Sequence, residues 1–402
     1  MNIIFTVKDE LKQSSSDGFG KDTVYRFLNS PRHNWRRFLL LLSASVIQRI
    51  SRLTSDNRVD VLIVDDSLFS RSRSKKVELL ARVYDHVSHK FVRGFRMLTL
   101  GWSDGNSFVP LAFSLLSSEN ERNRLRGIED SIDKRTCGYK RRKESMHKAT
   151  DALFELLTQA QAMGINAKYL LFDSWFAYPA TILKALKHSM NVVCMIKATP
   201  KVHYEHDGRR LTLKELYSAV KKRRGRAKIL ASVIASIGRD EKDKPVLAKI
   251  VFVRDRNRSR QWLALLSTDT NLSDDEVIRI YGKRWDIECF FKVSKSHLRL
   301  AKELQGRTYD QMFAHTTIVF ARYIMLATAA RDERDPKTIG VLFFECCDEL
   351  EDIRFADALR LLIDLLKSII SDVDTENNIE FDKVIEQFIS HLPNAIKGKL
   401  VA

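Results

Sequence analysis

Hydrophobic and polar positions follow two different periods along this chain, and the changes of period predict its secondary structure. Residues 59–67, VDVLIVDDS, form a β-branched apolar run with two aspartates at its end. Such a run is typical of a strand buried on both faces of a sheet. Two further strands are predicted at 91–103 and 107–118, joined through the turn sequence SDGN. This hairpin spacing predicts the start of an antiparallel sheet.

Further along, predicted helices and strands alternate. A helix is predicted at 147–163, and the apolar strand AKYLLFDS that follows it has Asp173 at its end. A helix at 179–189 and a strand at 191–198 repeat the order. The alternation predicts a mixed sheet with helices packed on it. Short β-like pieces between 199 and 265 predict a β-rich insertion.

The N-terminal part is predicted to form two helices broken at Pro31. Apolar side chains of the second helix are expected to face inward. They are Trp35, Phe38, Leu39 and Leu42. Basic side chains in the same part either contact a phosphate backbone or form a solvated face over a helical hairpin. They are Lys21, Arg26, Arg32, Arg36 and Arg37.

A large surplus of positive charge narrows the classes of partner. The 402-residue chain carries 68 Lys and Arg against 51 Asp and Glu, for a formal net charge of +17 and a pI near 9.6. Such a surplus favours a polyanion, because neutralising phosphates releases condensed counterions. A strongly basic stretch at 119–143 is predicted to be an exposed loop that either orders on a nucleic acid or stays flexible.

Cysteine usage and hydropathy bear on the cellular compartment. Five scattered cysteines without a CxxC pair indicate reduced thiols, and no set of His and Cys has zinc-ligand spacing. The first apolar run is too short for a signal peptide, and no stretch approaches 18 uninterrupted apolar residues. We therefore expect a soluble, cytoplasmic protein without a membrane partner.

The stretch YGKRWDIECFFKVSK is predicted to lie on one helix that begins at a capping box of Ser273 with Glu276. Polar and charged side chains at steps of three or four residues share one face of that helix. They are Tyr281, Arg284, Glu288, Lys292 and Lys295. The simplest alternative is that Arg284 and Glu288 form only a surface ion pair, worth about 0.3–0.5 kcal/mol.

Three carboxylates stand out by their positions. Asp65 and Asp173 end apolar strands, and Glu288 lies on the helix face just described. A carboxylate partly removed from water is costly unless it is paired or bound to a cation. A set of carboxylates suits Mg²⁺, and two such ions can activate a nucleophile and stabilise the leaving oxygen of a phosphodiester. The alternative is that each is only a cap or a turn former.

These residues resemble the signature of the IS4-type transposases. The helix fits the YREK signature of that family, Tyr-x2-Arg-x3-Glu-x6-Lys, at Tyr281, Arg284, Glu288 and Lys295. VLIVDDS looks like the first-Asp motif, an Asp followed by any residue and Ser or Thr, and YLLFDSWF looks like the second-Asp motif. The β-rich insertion before the Glu is also similar, and the resemblance covers residues 58–330.

The resemblance implies an α/β fold, an RNase H-like mixed sheet flanked by helices, with a DDE triad of Asp65, Asp173 and Glu288 that binds Mg²⁺, or Mn²⁺ as a substitute. The first-Asp motif favours Asp65 because Ser67 follows two residues on, and Asp66 stays as the alternative. The resemblance further implies a transposase that cuts and joins double-stranded DNA at terminal inverted repeats and target DNA. A homodimer is expected in the synaptic complex.

The resemblance also implies roles in DNA binding. Terminal phosphates would be held by Tyr281, Arg284 and Lys295, of which Arg284 offers a planar fork and Lys295 a point charge. Trp285 follows the motif Arg, and Trp262 matches the insertion-domain Trp that stacks on a flipped base in that family. Core packing is the alternative for both tryptophans.

Five regions are expected on this basis. They are a helical, basic N-terminal region (1–57), the first part of the catalytic core (58–198), the β-rich insertion (199–268), the second part of the core (269–330) and a helical C-terminal region that is a candidate for dimerisation (331–402). The N-terminal region is shorter than is usual in that family, which leaves a truncated DNA-binding region open as an alternative. Two other functions stay open: a DNA-binding derivative that no longer cleaves, and an RNase H-fold nuclease.

Overall fold

The first strand of the chain lies in the middle of a mixed sheet. The structure is a computed structural model, and it describes residues 21–52, 59–85, 88–223, 227–255, 261–302 and 306–332. Strand β1 (Val61–Ser70) pairs antiparallel with β3 (Lys90–Ser103) and parallel with β5 (Tyr169–Phe172). The first four residues of β1 are almost fully buried, as its apolar sequence predicts.

Three more strands complete this part of the sheet. β3 also pairs antiparallel with β2 (Ala81–Asp85) and β4 (Phe108–Leu116), and β5 pairs parallel with β6 (Asn191–Ile196). An antiparallel meander joined to parallel strands in the order β4, β3, β1, β5, β6 is an RNase H-like arrangement. The predicted fold class is therefore confirmed. The sequence did not predict β2.

Helices pack on both the sheet and each other. They are α1 (Lys21–Leu28), α2 (Trp35–Arg52), α3 (Cys137–Glu144), α4 (Ala149–Ala162), α5 (Pro179–Lys187), α6 (Leu213–Ala219), α7 (Asp274–Gly282), α8 (Trp285–Ser296) and α9 (Tyr309–Asp332). α9 packs against α2 and β4, with the rings of Phe113 and Phe313 stacked at 4.3 Å between centroids. Its length and apolar composition would suffice to cross a membrane, but 78% of the apolar window is buried inside the fold. In this fold α9 is a core helix.

The predicted β-rich insertion continues the same sheet. Its strands are β7 (His203–His206), β8 (Arg209–Thr212), β9 (Ile229–Arg239), β10 (Pro245–Arg254) and β11 (Trp262–Ser267), with α6 between β8 and β9. β11 pairs antiparallel with β6, so that Leu266 lies opposite Cys194. The insertion and the catalytic core therefore share one hydrogen-bonded sheet.

β1 runs on to Ser70 instead of ending at Ser67, because its second half pairs with the first half of β3. Ser70 lies opposite Gly94, where an added Cβ would stand 2.4 Å from the carbonyl oxygen of Phe69. Only glycine allows the two strands to approach so closely. The aspartates of β1 therefore lie inside a strand and not at its end, which corrects the prediction.

The N-terminal helices match the prediction in part. α1 and α2 lie on either side of Pro31, and Trp35 and Leu39 are buried as predicted. Phe38 is 49% exposed, however, and Leu40 takes the buried position. Of the basic side chains expected to meet phosphate, three are exposed. They are Arg26, Arg32 and Arg37.

Some arginines predicted to be exposed are instead buried. They belong to a buried ion-pair network that consists of Arg36, Arg141 and Arg142 with Glu78, Glu144 and Asp310. Arg142 donates from Nε to Glu78 Oε1 at 2.6 Å, and its Nη2 lies 2.7 Å from Asp310 Oδ2 in an ion pair. The prediction of an exposed loop at 119–143 is therefore wrong for the part that forms α3. Carboxylates distant in sequence neutralise its charges.

The single helix predicted over the YREK signature is two helices. α7 begins at the predicted capping box, in which Glu276 N donates to Ser273 Oγ at 3.2 Å. It ends at Gly282 because the next amides, those of Lys283 and Arg284, bond to carbonyls three residues back, the tighter 3₁₀ pattern. The helices predicted beyond residue 332, with Cys346 and Cys347, lie outside the described residues.

Candidate active site

Parallel pairing of β1 with β5 brings two of the predicted carboxylates side by side. The last residue pair of this ladder joins Val64 to Phe172. Asp65 follows Val64 inside β1 and Asp173 follows the last residue of β5, so the two aspartates lie side by side just beyond the end of this ladder. Asp173 Oδ1 accepts a hydrogen bond from the amide of Trp175 at 2.9 Å, which holds the turn after β5.

The guanidinium of Arg284 joins the third carboxylate to the first. Its Nη1 lies 3.2 Å from Asp65 Oδ2, and its Nη2 pairs with Glu288 Oε1. Arg284 stands at the start of α8 and Glu288 is one turn further, so the i, i+4 ion pair does form. It is not a surface pair, because it is half-buried and extends to Asp65 on β1. We call Asp65, Asp173, Arg284 and Glu288 the carboxylate cluster.

Electrostatics confirm that these carboxylates sense one another. Burial raises the pKa of Asp65, Arg284 opposes this shift, and repulsion from Asp173 and Glu288 adds to it, so that the pKa is about 7. Arg96 on β3 opposes the shift more weakly, and because it is also bonded to Asp66 the cluster stays short of positive charge. An additional cation would relieve that imbalance.

Asp66 takes part in a separate pairing. Its carboxylate bonds to the guanidinium of Arg96 on β3, and that guanidinium also lies over the Trp175 ring, 5.2 Å from the centroid. Asp66 is therefore bonded to Arg96, whose charge also acts on Asp65 and Asp173, whereas Asp65 shares Arg284 with Glu288. Sequence reasoning missed Arg96 and Trp175. Trp175, two residues after Asp173 and 44% exposed, was the more visible of the two.

The remaining signature residues surround the same strand. The Arg284 guanidinium lies 5.8 Å from the centroid of the Tyr281 ring, and burial raises the pKa of Tyr281 to about 12. Lys295 Nζ bonds to Ser67 Oγ, on the same side of β1 as Asp65. Burial lowers the pKa of Lys295. All four signature residues thus meet around Asp65 and Ser67, although the predicted helix is broken between them.

The two predicted tryptophans lie in different surroundings. Trp285 directly follows Arg284 of the carboxylate cluster in the sequence, and it is 62% exposed. Trp262 opens β11 and packs against the rings of Tyr217 and Phe252, at 4.8 and 5.1 Å between centroids. Exposure leaves Trp285 accessible to a base, whereas Trp262 already has aromatic neighbours.

The residues present fit a divalent cation in chemistry. Carboxylate oxygens are the ligands that Mg²⁺ takes in proteins, and the excess negative charge at Asp65 favours a cation there. Over the described parts of the chain, no three Asp, Glu, His or Cys side chains converge as ready metal ligands. The guanidinium of Arg284 is bonded between two of the carboxylates.

Comparison with known proteins adds an independent finding. A family model described as DDE superfamily endonuclease matches residues 6–262, which is more than half of the chain. The match includes Asp65 and Asp173 and ends before Glu288. A search of curated proteins found no match.

Proposed function

Because the chain belongs to the DDE superfamily of endonucleases, a family that implies DNA as substrate and divalent metal ions, we propose that it is a DNA transposase of the IS4 type. It binds the terminal inverted repeats of a mobile element and carries out Mg²⁺-dependent cleavage and strand transfer. The observation that carries this proposal is the carboxylate cluster, in which Asp65 and Glu288 share one guanidinium beside Asp173.

In this proposal Asp65, Asp173 and Glu288 hold the Mg²⁺ ions, and Mn²⁺ can substitute. The bound ions supply a polarised water or 3′-hydroxyl and stabilise the leaving oxygen of the phosphodiester. Asp65 is favoured over Asp66 because Arg96 already neutralises Asp66. The pKa of Asp65, about 7, means that binding a cation near neutral pH also releases a proton from this carboxyl.

The other three signature residues are proposed to contact the DNA. Tyr281, Arg284 and Lys295 hold phosphates next to the scissile bond, and the planar fork of Arg284 suits a phosphate as well as a carboxylate. Lys295 Nζ donates a hydrogen bond to Ser67 Oγ, two residues after Asp65. Trp285 offers an exposed ring for stacking on an unpaired base, and Trp262 has the same role in the insertion. A homodimer joins two element ends.

One observation favours a second function. Arg284 is bonded to oxygens of two carboxylates, Asp65 and Glu288. If these bonds persist when DNA is bound, the protein would bind DNA through its basic surface without cutting it. A simple endonuclease is the other alternative that the family allows. The three functions differ in their products, since only a transposase joins strands.

The test is an assay on a labelled duplex that carries the element's own end, taken from the DNA that flanks this gene. The duplex is incubated with target DNA in Mg²⁺ or in EDTA. A transposase gives cuts at the end and joined products in Mg²⁺ alone. Cutting without joined products would favour a nuclease, and gel-shifted DNA without any cut would favour the DNA-binding derivative.

A further inference from the structure

A continuous groove leads away from the carboxylate cluster along the end of β1. A cavity of about 880 Å³ begins at Ser67 and Lys295, the pair that borders the cluster. Its charged lining is mixed: Asp66 and Asp85 line it together with Arg73, Arg96, Lys295 and Lys302. A second cavity of about 860 Å³ adjoins it. Both are lined by Arg73 and Lys302, so the two cavities form one groove. We call it the basic groove.

The walls of the outer cavity carry charge of one sign. Its exposed cationic side chains are Arg73, Lys75, Lys76, Lys302 and Arg307, and no acidic residue lines it. None of the five forms an ion pair with any residue in the described part of the chain. Like charges gathered along one wall repel each other, and a polyanion that enters the groove would remove this repulsion.

The basic groove is built into the fold. One wall is the segment after β1, which is fixed where Arg71 N donates to Arg93 O at 2.9 Å. The two walls are joined where Arg71 Nη1 donates to Ala301 O and where Glu78 N donates to Arg307 O, each at 2.9 Å. Glu78 is itself a member of the buried ion-pair network. The backbone that carries these cations is therefore held in place before any ligand arrives.

From this geometry we infer that the basic groove binds the phosphate backbone of the DNA arm on one side of the scissile phosphate. The inference rests on the proposed function, because the groove leads out from Ser67 and Lys295, beside the carboxylates proposed to cut. Double-stranded DNA carries one negative charge per about 1.7 Å of its axis, so a row of cations along a wall matches it better than a small anion.

The test compares two double variants of the full chain, each of which removes two positive charges, in EDTA, where no cleavage is expected. Lys75→Gln with Lys76→Gln changes the groove. Lys242→Gln with Lys244→Gln removes the same charge from the exposed turn between β9 and β10. Binding of an element-end duplex is followed by fluorescence anisotropy over a range of salt concentrations. The groove variant is expected to reduce the magnitude of the negative slope of log K against log[salt] by about two. The control variant is expected to leave the slope unchanged.

Shortening the duplex locates the contact. The difference between the groove variant and the unchanged protein should vanish when one arm is cut back and persist when the other is. Equal slopes for both variants, or a difference that survives both truncations, would overturn the inference. A larger difference on an RNA duplex of the same length would overturn the assignment to DNA. Because binding is measured without metal, a protein that never cuts DNA would refute the proposed function and leave this inference intact.

Discussion

Two groups of charged side chains in this protein differ in balance and in access to water. The buried ion-pair network holds three arginines and three carboxylates, all with side chains at most 9% exposed. The carboxylate cluster holds three carboxylates and one arginine, and its Glu288 side chain is 34% exposed. The charges of the network balance without a ligand, whereas the cluster lacks positive charge.

The difference has a physical cause. A charge removed from water is tolerated when a partner with good geometry replaces its hydration, and the network meets that condition by joining α2, α3 and α9. In the cluster, burial and repulsion act together, and the raised pKa of Asp65 is the result. Balanced buried charges indicate residues that stabilise the fold, whereas an excess of carboxylates indicates a candidate cation site.

The largest expected effect is the loss of cleavage in the cluster. Glu288→Gln keeps the shape of the side chain and removes a proposed metal ligand. Mg²⁺-dependent cutting should fall by more than the roughly 100-fold that a group behind a metal ligand costs. The temperature of thermal unfolding should change little, because two carboxylates remain in the cluster for its one arginine. Lys292→Gln, an exposed change on the same helix, is the control and should retain full cutting.

A substitution in the buried ion-pair network should instead lower the stability of the fold. Arg142→Met leaves Glu78 and Asp310 as buried carboxylates without this partner, which is expected to cost about 3–5 kcal/mol in the free energy of unfolding. Urea denaturation followed by circular dichroism measures the loss. If Arg142→Met unfolds at the same urea concentration as the unchanged protein, the network does not stabilise the fold as described.

Stability should also depend on pH through Asp65. Its pKa is raised from the ordinary 3.8 to about 7, so the folded state holds this proton more tightly than the unfolded state. In EDTA the free energy of unfolding should therefore fall as pH rises from about 4 to about 7. Asp65→Asn cannot titrate at this position. Between pH 4 and pH 7.5, its free energy of unfolding should therefore rise by about 1–3 kcal/mol relative to that of the unchanged protein. Parallel pH profiles for the two proteins would contradict the raised pKa.

A smaller effect is expected for metal affinity. Arg284→Gln frees Asp65 and Glu288 from their shared guanidinium, so Ca²⁺, which supports binding without cleavage, should bind about tenfold more tightly by calorimetry. The same variant should bind element-end DNA less well, because a phosphate contact is lost. Weaker Ca²⁺ binding would show that Arg284 supports the metal site and does not compete for it.

The sequence predicted the strands that carry Asp65 and Asp173 because apolar runs that stop at an acid are visible locally. It could not predict the partners of Arg36 and Arg142, since each ion pair joins residues far apart in the chain. The break between α7 and α8 was also missed, because Lys283 and Arg284 are good helix formers whose tighter turn depends on tertiary contacts such as that of Lys283 Nζ with Asp104 O. The five-region division and the role of each site residue stay predictions.

The central claim is that a charge-deficient cluster, centred on Asp65, is the catalytic site. The most direct test measures Mg²⁺-dependent cutting of the element-end duplex by Asp65→Asn and Asp66→Asn, two equal changes at adjacent positions of β1. Asp65→Asn is expected to lose cutting, and Asp66→Asn, whose carboxylate is bonded to Arg96, is expected to keep most of it. Full cutting by Asp65→Asn together with loss in Asp66→Asn would place the site at the other aspartate and contradict the account.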